Sequence, residues 1–354
     1  MPTPNNSIGM LSMFTHPVFL VKDGIITEAN QQALDLQIPK GKPINQILDS
    51  DKEEYGAFSG QTMSLTVILN STAFVCAVVR VEGCDIFHIL SSGEGTELRA
   101  MALASQHLRD PLTNIMALVD ALHAQHLNDE SPKHKKLVAQ LQQNLHRVMR
   151  TVGNMSDTGS CASRTFGMET MNVPAVITEA LEKSKNLLDN GRIDLQIQNC
   201  SGSHNGVADR SYLERAVFNL ISNAVKYSPA DSTIHAKLQV VNNKVQLTVE
   251  NDCPNFTPDM AGSMFFRYRR SPSVTDGGSG LGLGIPMIQA VAAMHKGSVL
   301  LTMPKPGKVR FCLTIPIRNE KGTLRSPVLH LEPSGGYDHS LIELSDILPE
   351  HYYE

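Results

Sequence analysis

Two asparagines, a lysine and a tyrosine lie close together in the segment 219–227, which reads Asn-Leu-Ile-Ser-Asn-Ala-Val-Lys-Tyr. On a helix Asn219 and Asn223 are one turn apart and share a face, with Lys226 and Tyr227 close by. A carboxamide oxygen can ligate Mg²⁺, and a lysine ammonium is a point charge for phosphate. The pattern therefore suits a metal-phosphate site, and its alternative is an ordinary amphipathic helix with a polar face.

A second segment, residues 277–284, reads Gly-Gly-Ser-Gly-Leu-Gly-Leu-Gly and precedes a predicted helix at 286–294. Glycines let backbone N–H groups approach a polyphosphate, and a following helix N-terminus adds partial positive charge. A dinucleotide-binding loop is the competing interpretation. No predicted strand directly precedes these glycines, as that motif requires.

Together the two segments resemble the ATP-binding domain of sensor histidine kinases, which has the Bergerat-type α/β-sandwich fold, over residues 166–318. The resemblance implies that ATP and Mg²⁺ are the cofactors and that Asn223 is the metal ligand. It implies phosphate contacts from Asn219 and Lys226, and packing of Tyr227 near the adenine. It also implies nucleotide contacts from the glycine-rich lid, at Gly278, Gly280, Leu281, Gly282, Leu283 and Gly284.

The adenine-binding motif departs from the family pattern. Where the family has an aspartate for the adenine amino group, followed by Asn-Gly-Pro-Gly, this chain has Asn251 followed by Asp-Cys-Pro-Asn. Asn251 can accept one hydrogen bond through its side-chain oxygen, but without charge assistance. We therefore expect ATP binding with reduced affinity.

The phosphoacceptor motif departs further. Residues 105–112 read Ser-Gln-His-Leu-Arg-Asp-Pro-Leu, against Ser-His-Glu-Leu-Arg-Thr-Pro-Leu in the family, so Gln106 occupies the position of the phosphorylated histidine. A glutamine amide is not a useful nucleophile, because its nitrogen lone pair is delocalised. His107 is the candidate acceptor, although a one-residue shift turns the side chain by roughly 100° around the helix axis. The alternative is a solvated surface histidine.

Two amphipathic helices are predicted within residues 96–158, because apolar residues recur there at heptad spacing. The first stripe is Leu98, Met101, Ser105, Leu108, Leu112, Ile115, Val119 and Leu122. After a polar break at 128–132, the second is Leu137, Leu141, Leu145, Val148, Val152 and Met155. A hairpin cannot bury both stripes alone, so we expect a homodimer with a four-helix bundle. A helical linker packed on its own neighbours is the alternative.

Residues 8–95 predict a small α+β unit with short β-rich runs between turn residues. The order of elements resembles a PAS sensor domain: a strand, a turn at Asp23-Gly24, a second strand, and Asn30 leading into a helix. An unrelated α+β fold is the alternative. The signal is unknown. No haem or flavin signature is evident, so we expect a colourless protein, although His16 and His88 are available as haem ligands.

Composition narrows the class of protein. The formal charge of −4 and a pI near 6.4 provide no basic stripe for a phosphate backbone, so we expect no nucleic-acid partner. The six cysteines have no CxxC spacing and predict reduced thiols. No run approaches the ~20 apolar residues of a membrane span, so a cytoplasmic protein is expected.

Residues 319–354 form an acidic tail whose apolar spacing suggests that part of it docks.

The sequence thus predicts a multidomain α+β protein: a PAS-like sensor, a helical hairpin forming a dimeric four-helix bundle, and a Bergerat-type ATP-binding domain. The resemblance implies a sensor histidine kinase that autophosphorylates at His107 and passes the phosphoryl group to a response regulator. The alternative is a nucleotide-binding pseudokinase that acts as a regulatory interaction module.

Overall fold

A computed structural model describes most of the chain. The described residues are 11, 14, 16–48, 52–58, 62–70, 72–81, 83–89, 112–113, 115–117, 119–120, 132–160, 168–188, 193–200, 202–257, 260, 284–318 and 338–353. In these parts of the chain we find no helix with the length and apolarity that a bilayer crossing needs.

The N-terminal unit is an antiparallel sheet with short helices after its second strand. Its elements are β1 (Val18–Lys22), β2 (Ile25–Ala29), α1 (Gln31–Asp35), a 3-10 turn (Ile44–Gln46), α2 (Lys52–Gly56), β3 (Thr62–Leu69), β4 (Thr72–Val81) and β5 (Cys84–Ile89). The predicted turn at Asp23-Gly24 is confirmed, since both residues have positive φ. Asn30 caps α1 by accepting a hydrogen bond from the Ala33 N–H. The local predictions therefore hold, while the assignment to the PAS family stays a prediction.

The two histidines of this unit contact each other. His16 Nε2 and His88 Nδ1 are 3.0 Å apart, and burial together with the neighbouring His16 lowers the pKa of His88 to about 3. Each ring therefore has the other as a hydrogen-bond partner in this conformation.

Two helical segments of the predicted hairpin lie among the described residues. Those between 112 and 120 are helical, and the second helix is α3 (Pro132–Ser160). Met116 and Val119 pack in one cluster with Leu145 and Met149, which joins the two helices. Part of the predicted apolar surface stays exposed, namely Ile115, Leu137, Leu141 and Val148. The four-helix bundle and the dimer remain predictions.

The third unit is a sheet with helices on one face, as expected for an α/β sandwich. Its elements are β6 (Glu169–Asn172), α4 (Val173–Leu188), β7 (Ile193–Gln198), β8 (Asn205–Ala208), α5 (Arg210–Tyr227), β9 (Ser232–Val241), β10 (Lys244–Asp252), α6 (Gly284–Met294), β11 (Ser298–Lys305) and β12 (Lys308–Pro316). Alternate residues of β10 are buried, because successive side chains point to opposite faces of a sheet. The predicted hairpin at 304–307 is confirmed by the antiparallel pairing of β11 with β12.

The N-terminal and third units share one sheet. Its ten strands lie in the order β2-β1-β5-β4-β3-β11-β12-β10-β9-β7, while β6 pairs with β8 separately. The junction is the antiparallel pair β3–β11, in which Leu300 lies opposite Met63. Val299 and Leu301 are buried with the helices of the third unit, and Leu300 packs on the opposite face against the N-terminal core. The sequence predicted these units as separate domains, without a shared sheet.

The C-terminal tail docks in part, as its apolar spacing suggested. Residues 338–353 contain α7 (His339–Glu343) and a 3-10 turn (Glu350–Tyr353). Leu344, Leu348 and Tyr353 are buried in the cluster that contains the core of the third unit. The tail contacts both α3 and α5.

A buried histidine joins the end of α6 to the start of α5. His295 Nε2 accepts a hydrogen bond from the Asp209 N–H at 3.0 Å, and its Nδ1 lies 2.8 Å from the Val291 carbonyl oxygen, to which it donates. Asp209 in turn caps α5 by accepting from the Tyr212 N–H. Burial lowers the pKa of His295 to about 4, so the ring is neutral at pH 7.

We predict that replacing this histidine removes a pH-dependent part of the stability. The folded pKa lies below the ordinary value of about 6.5, so the contribution of His295 is complete above pH 6.5 and is lost as the pH falls towards 4. At pH 7.5, His295→Gln should have a lower free energy of unfolding than wild type. This difference in the free energy of unfolding should shrink by about 2 kcal/mol between pH 7.5 and pH 5. Denaturant unfolding at the two pH values measures both differences.

The matched control is His235→Gln, which changes an exposed histidine on β9. The free energy of unfolding of this control should differ little from that of wild type, and by the same amount at both pH values. A deficit of His295→Gln that did not change with pH would contradict the assigned neutral role.

Candidate functional site

Helix α5 carries the asparagine segment and is fixed at both ends. It begins after Asp209 and ends at Tyr227, where the Ser228 N–H bonds to the Ala224 carbonyl and Pro229 follows. Its apolar residues, among them Leu213, Val217, Leu220 and Ile221, are buried in the core. The side chains of Arg215 and Asn219 are buried too, so these polar groups must find their partners inside the protein.

Asn219 lies at the centre of the candidate site with 0% exposure. Its Nδ2 donates to the Arg215 carbonyl at 2.9 Å and to Glu343 Oε2 at 3.1 Å. Its Oδ1 accepts from Arg150 Nη2 at 3.1 Å. Both ends of this carboxamide are therefore engaged within the chain.

The glycine-rich segment ends beside the two asparagines. Gly284, the first residue of α6, is so close that a Cβ built on it would lie 3.1 Å from Asn219 Oδ1 and 3.5 Å from Asn223 Nδ2. A side chain at this position would require Asn219 to move by a few tenths of an ångström. The structure thus brings together two motifs that lie far apart in the sequence.

Asn223 has an unused polar atom at this place. Its Nδ2 is buried and has no hydrogen-bond partner among the described residues. A buried amide without a partner costs about 1–3 kcal/mol, so such a group indicates a missing ligand, ion or water. A turn of the carboxamide would present its oxygen at the same point, and an amide oxygen suits Mg²⁺.

Three other predicted residues gather at the C-terminal end of α5. Lys226 Nζ lies 5.9 Å from the ring centroid of Tyr227, which is 38% exposed. Asn251, at the end of β10, donates through its nitrogen to Ser228 Oγ at 3.1 Å and to the Asp252 carbonyl at 3.0 Å. Because both nitrogen protons are used, a contact from Asn251 to adenine would use its oxygen.

The remaining predicted site residues lie outside the described residues. They are the phosphoacceptor candidate His107, its neighbour Gln106, and the lid residues Gly278, Gly280, Leu281, Gly282 and Leu283. Their roles stay as the sequence predicted them.

The sequence reasoning missed a buried ionic cluster beside Asn219. Glu343 of the tail is 1% exposed and lies 2.6 Å from Arg215 Nε and 3.6 Å from Arg150 Nε. Burial alone would raise the pKa of Glu343, but Arg215 and Arg150 hold it below its usual range. The cluster unites α3, α5 and the tail, and no spacing rule connects segments so distant. The one signal was the position of Arg215, a turn before Asn219 on the same helix face.

The part of the chain that contains this site is similar to known proteins. Residues 208–319 match the model of the "Histidine kinase-, DNA gyrase B-, and HSP90-like ATPase" family. The matched segment contains the asparagine segment, Asn251 and Gly284.

Two curated relatives are similar to this chain over part of their length. The chain is 28% identical over 219 residues to the sensor histidine kinase CusS of Escherichia coli strain K12, covering 60% of this chain and 44% of CusS. It is 27% identical over 229 residues to the sensor-like histidine kinase SenX3 of Mycolicibacterium smegmatis, covering 63% of this chain and 58% of SenX3. The chain thus spans about half the length of the curated relatives it matches.

A solved structure supports the fold. The crystal structure of full-length ShkA in complex with AMPPNP covers 65% of this chain and 47% of ShkA, with a TM-score of 0.50 and 17% identity.

Proposed function

We propose that this chain, a relative of sensor histidine kinases, binds Mg·ATP, transfers a phosphoryl group to His107 and passes it to an aspartate of a response regulator. The observation that carries the proposal is the approach of Gly284 to Asn219 and Asn223. A backbone without a side chain, at the N-terminus of a helix and against two carboxamides, suits a polyphosphate with its cation.

Asn223 fits the role of metal ligand. Its buried Nδ2 has no partner among the described residues, so the carboxamide would lose no hydrogen bond of that nitrogen by turning its oxygen towards a bound ion. Mg²⁺ would neutralise charge on the phosphates and keep several of its waters, since it usually meets a protein at one or two ligands.

The adenine base of ATP would lie at the C-terminal end of α5. Asn251, Lys226 and Tyr227 gather there, two turns from Asn219 along the helix, which is about 12 Å at 1.5 Å per residue. Tyr227 would pack near the adenine and Lys226 would reach towards phosphate. Asn251 would accept a hydrogen bond from the adenine amino group through its neutral oxygen, which is weaker than acceptance by a carboxylate.

The transfer to His107 would follow the chemistry of phosphoryl transfer. A nitrogen of the neutral imidazole attacks the γ-phosphorus, an N–P bond forms, and the bond to the departing ADP oxygen breaks. The protein contributes mainly positioning and charge stabilisation to such a step. Gln106 cannot replace His107, because its nitrogen lone pair is delocalised into the carbonyl.

The N-terminal unit would supply the regulatory input. Because β3 pairs with β11, a ligand or protein partner that shifts the sheet of the N-terminal unit also acts on the strand that follows α6. The ion pair between Lys244 of β10 and Glu54 of α2 is a second contact across this junction.

A homodimer would complete the helical hairpin. Leu137, Leu141 and Val148 lie on one stripe of α3 and are exposed, as is Ile115 of the preceding helix. Pairing two hairpins would bury this stripe in a four-helix bundle.

The metal ligand can be tested by calorimetry. We expect binding of Mg·ATP to the full chain to disappear in Asn223→Ala and to disappear for the unmutated protein in excess chelator. The matched control is Asn199→Ala, an exposed asparagine after β7, which should bind as the unmutated protein does. Undiminished binding in Asn223→Ala would exclude Asn223 as the ligand.

The acceptor can be tested with radiolabelled ATP. Labelling should be acid-labile and base-stable, as for a phosphoramidate, and His107→Ala should abolish it while leaving ATP binding intact. Gln106→His should raise the rate by restoring the family position of the histidine. Full labelling of His107→Ala would exclude this acceptor. ATP binding without labelling of any protein would favour the pseudokinase function.

The dimer can be tested by analytical ultracentrifugation. Leu141→Glu places a charge in the exposed stripe and should convert the dimer to a monomer. Lys136→Glu changes an exposed residue about 140° from Leu141 around the axis of the same helix and should leave the dimer intact. An intact dimer in Leu141→Glu would place the interface elsewhere.

A further inference from the structure

The docked tail reaches the candidate nucleotide site. Residues 338–353 lie against α3, where Gln143 Nε2 donates to the Leu348 carbonyl at 2.6 Å and Arg147 Nε donates to the Ser345 carbonyl at 3.1 Å. Leu344 is 0% exposed and anchors the middle of the segment. The tail is therefore held by specific contacts of the residues that follow Glu343 and not by one charge alone.

The Glu343 carboxylate lies in an anion site made by the nucleotide-binding side of the protein. Arg215 Nε donates to Oε1 at 2.6 Å, Asn219 Nδ2 donates to Oε2 at 3.1 Å, and Arg150 Nε lies 3.6 Å from Oε2. Arg150 also donates to Asp346 of the tail at 2.8 Å. Two guanidinium groups and an amide N–H are the donors that a phosphate takes as readily as a carboxylate does.

Asn219 cannot serve the tail and a nucleotide at once. Its carboxamide makes three hydrogen bonds and has no exposed surface. A phosphate that used the Nδ2 proton now given to Glu343 would bring its negative charge against that carboxylate. Two like charges sharing one buried donor are strongly disfavoured.

We propose that residues 338–353 are an intramolecular competitor of the nucleotide, in which Glu343 fills an anion site of Arg150, Arg215 and Asn219 that a phosphate of ATP takes when the tail leaves. The inference rests on the proposed function, since it assumes that Asn219 faces the nucleotide. It adds Arg150 and Arg215 as phosphate-binding residues and gives the tail a regulatory role.

The proposal requires that the tail lowers the apparent affinity for ATP. If the docked state holds about nine tenths of the molecules, the apparent dissociation constant is about tenfold above that of the open state. Weakening the tail at Glu343 or at Leu344 should recover this factor. Leu344→Lys is useful because it acts on the packing of the tail and leaves the three residues of the anion site unchanged.

The experiment measures Mg·ATP affinity of the full chain by calorimetry in four proteins. They are the unmutated protein, Glu343→Gln, Leu344→Lys and the control Glu350→Gln. Glu350 belongs to the same tail and accepts a hydrogen bond from Gln140 of α3, away from Asn219. Its substitution therefore makes the same charge change outside the anion site. Amide hydrogen exchange of residues 340–348 is followed with and without Mg·ATP, and circular dichroism checks that each variant is folded.

We expect Glu343→Gln and Leu344→Lys to bind about tenfold more tightly than the unmutated protein and Glu350→Gln to bind within about twofold of it. Saturating Mg·ATP should speed exchange in residues 340–348 of the unmutated protein. If Leu344→Lys does not fold, Glu343→Gln and the exchange experiment decide the matter.

Two results would overturn the proposal in distinguishable ways. Equal affinities in all folded proteins, with unchanged exchange in residues 340–348 under saturating Mg·ATP, would show a purely structural tail and leave the proposed ATP binding intact. Absence of binding in every folded protein, including those with a weakened tail, would remove the ATP site itself and the competitor with it.

Discussion

The arrangement around α5 depends on one constraint: Arg215 and Asn219 are buried on a helix whose apolar residues pack into the core, so their polar groups must be satisfied from inside. Their partners come from two separate segments, namely Asn154 and Arg150 of α3 and Glu343 of the tail. A buried guanidinium without a counter-charge would cost several kcal/mol. This requirement holds the hairpin, the ATPase-family domain and the tail in one cluster beside the end of the glycine-rich segment.

A second constraint acts through the sheet. The pairing of β3 with β11 supplies hydrogen-bond partners for two strands that would otherwise be edges, and exposed edges invite pairing with other chains. Close packing also holds β11 against β12. Gly297 precedes β11, and a Cβ on it would lie 2.0 Å from the Thr314 carbonyl oxygen. The shared sheet thus joins two cores, that of the N-terminal unit and that of α6 and the asparagine helix.

Local patterns allowed much of this structure to be predicted from the sequence. Helical spacing placed Asn219 and Asn223 on one face, and turn residues located the β1–β2 and β11–β12 connections. The glycine-rich segment indicated the start of α6, which lies at Gly284. In each case the deciding interactions are between neighbours in the chain.

The features that could not be predicted depend on contacts between distant segments. Nothing in the composition of β3 identifies β11 as its partner, and Glu343 resembles any other acidic residue of a charged tail until the fold places it between two arginines. His295 reads as an ordinary histidine at the end of an apolar helix, although it is buried and ties α6 to Asp209. Such roles arise from tertiary packing, which a single sequence does not encode in any spacing.

The central claim is that the meeting point of Asn219, Asn223 and Gly284 is the phosphate and metal end of an ATP site. The most direct test is a crystal structure of the full chain with AMPPNP and Mg²⁺. We predict a magnesium ion about 2.1 Å from the side-chain oxygen of Asn223, phosphates against Gly284, and Glu343 withdrawn from Asn219. A nucleotide bound elsewhere, or bound here with the Glu343–Asn219 contact unchanged, would contradict the account.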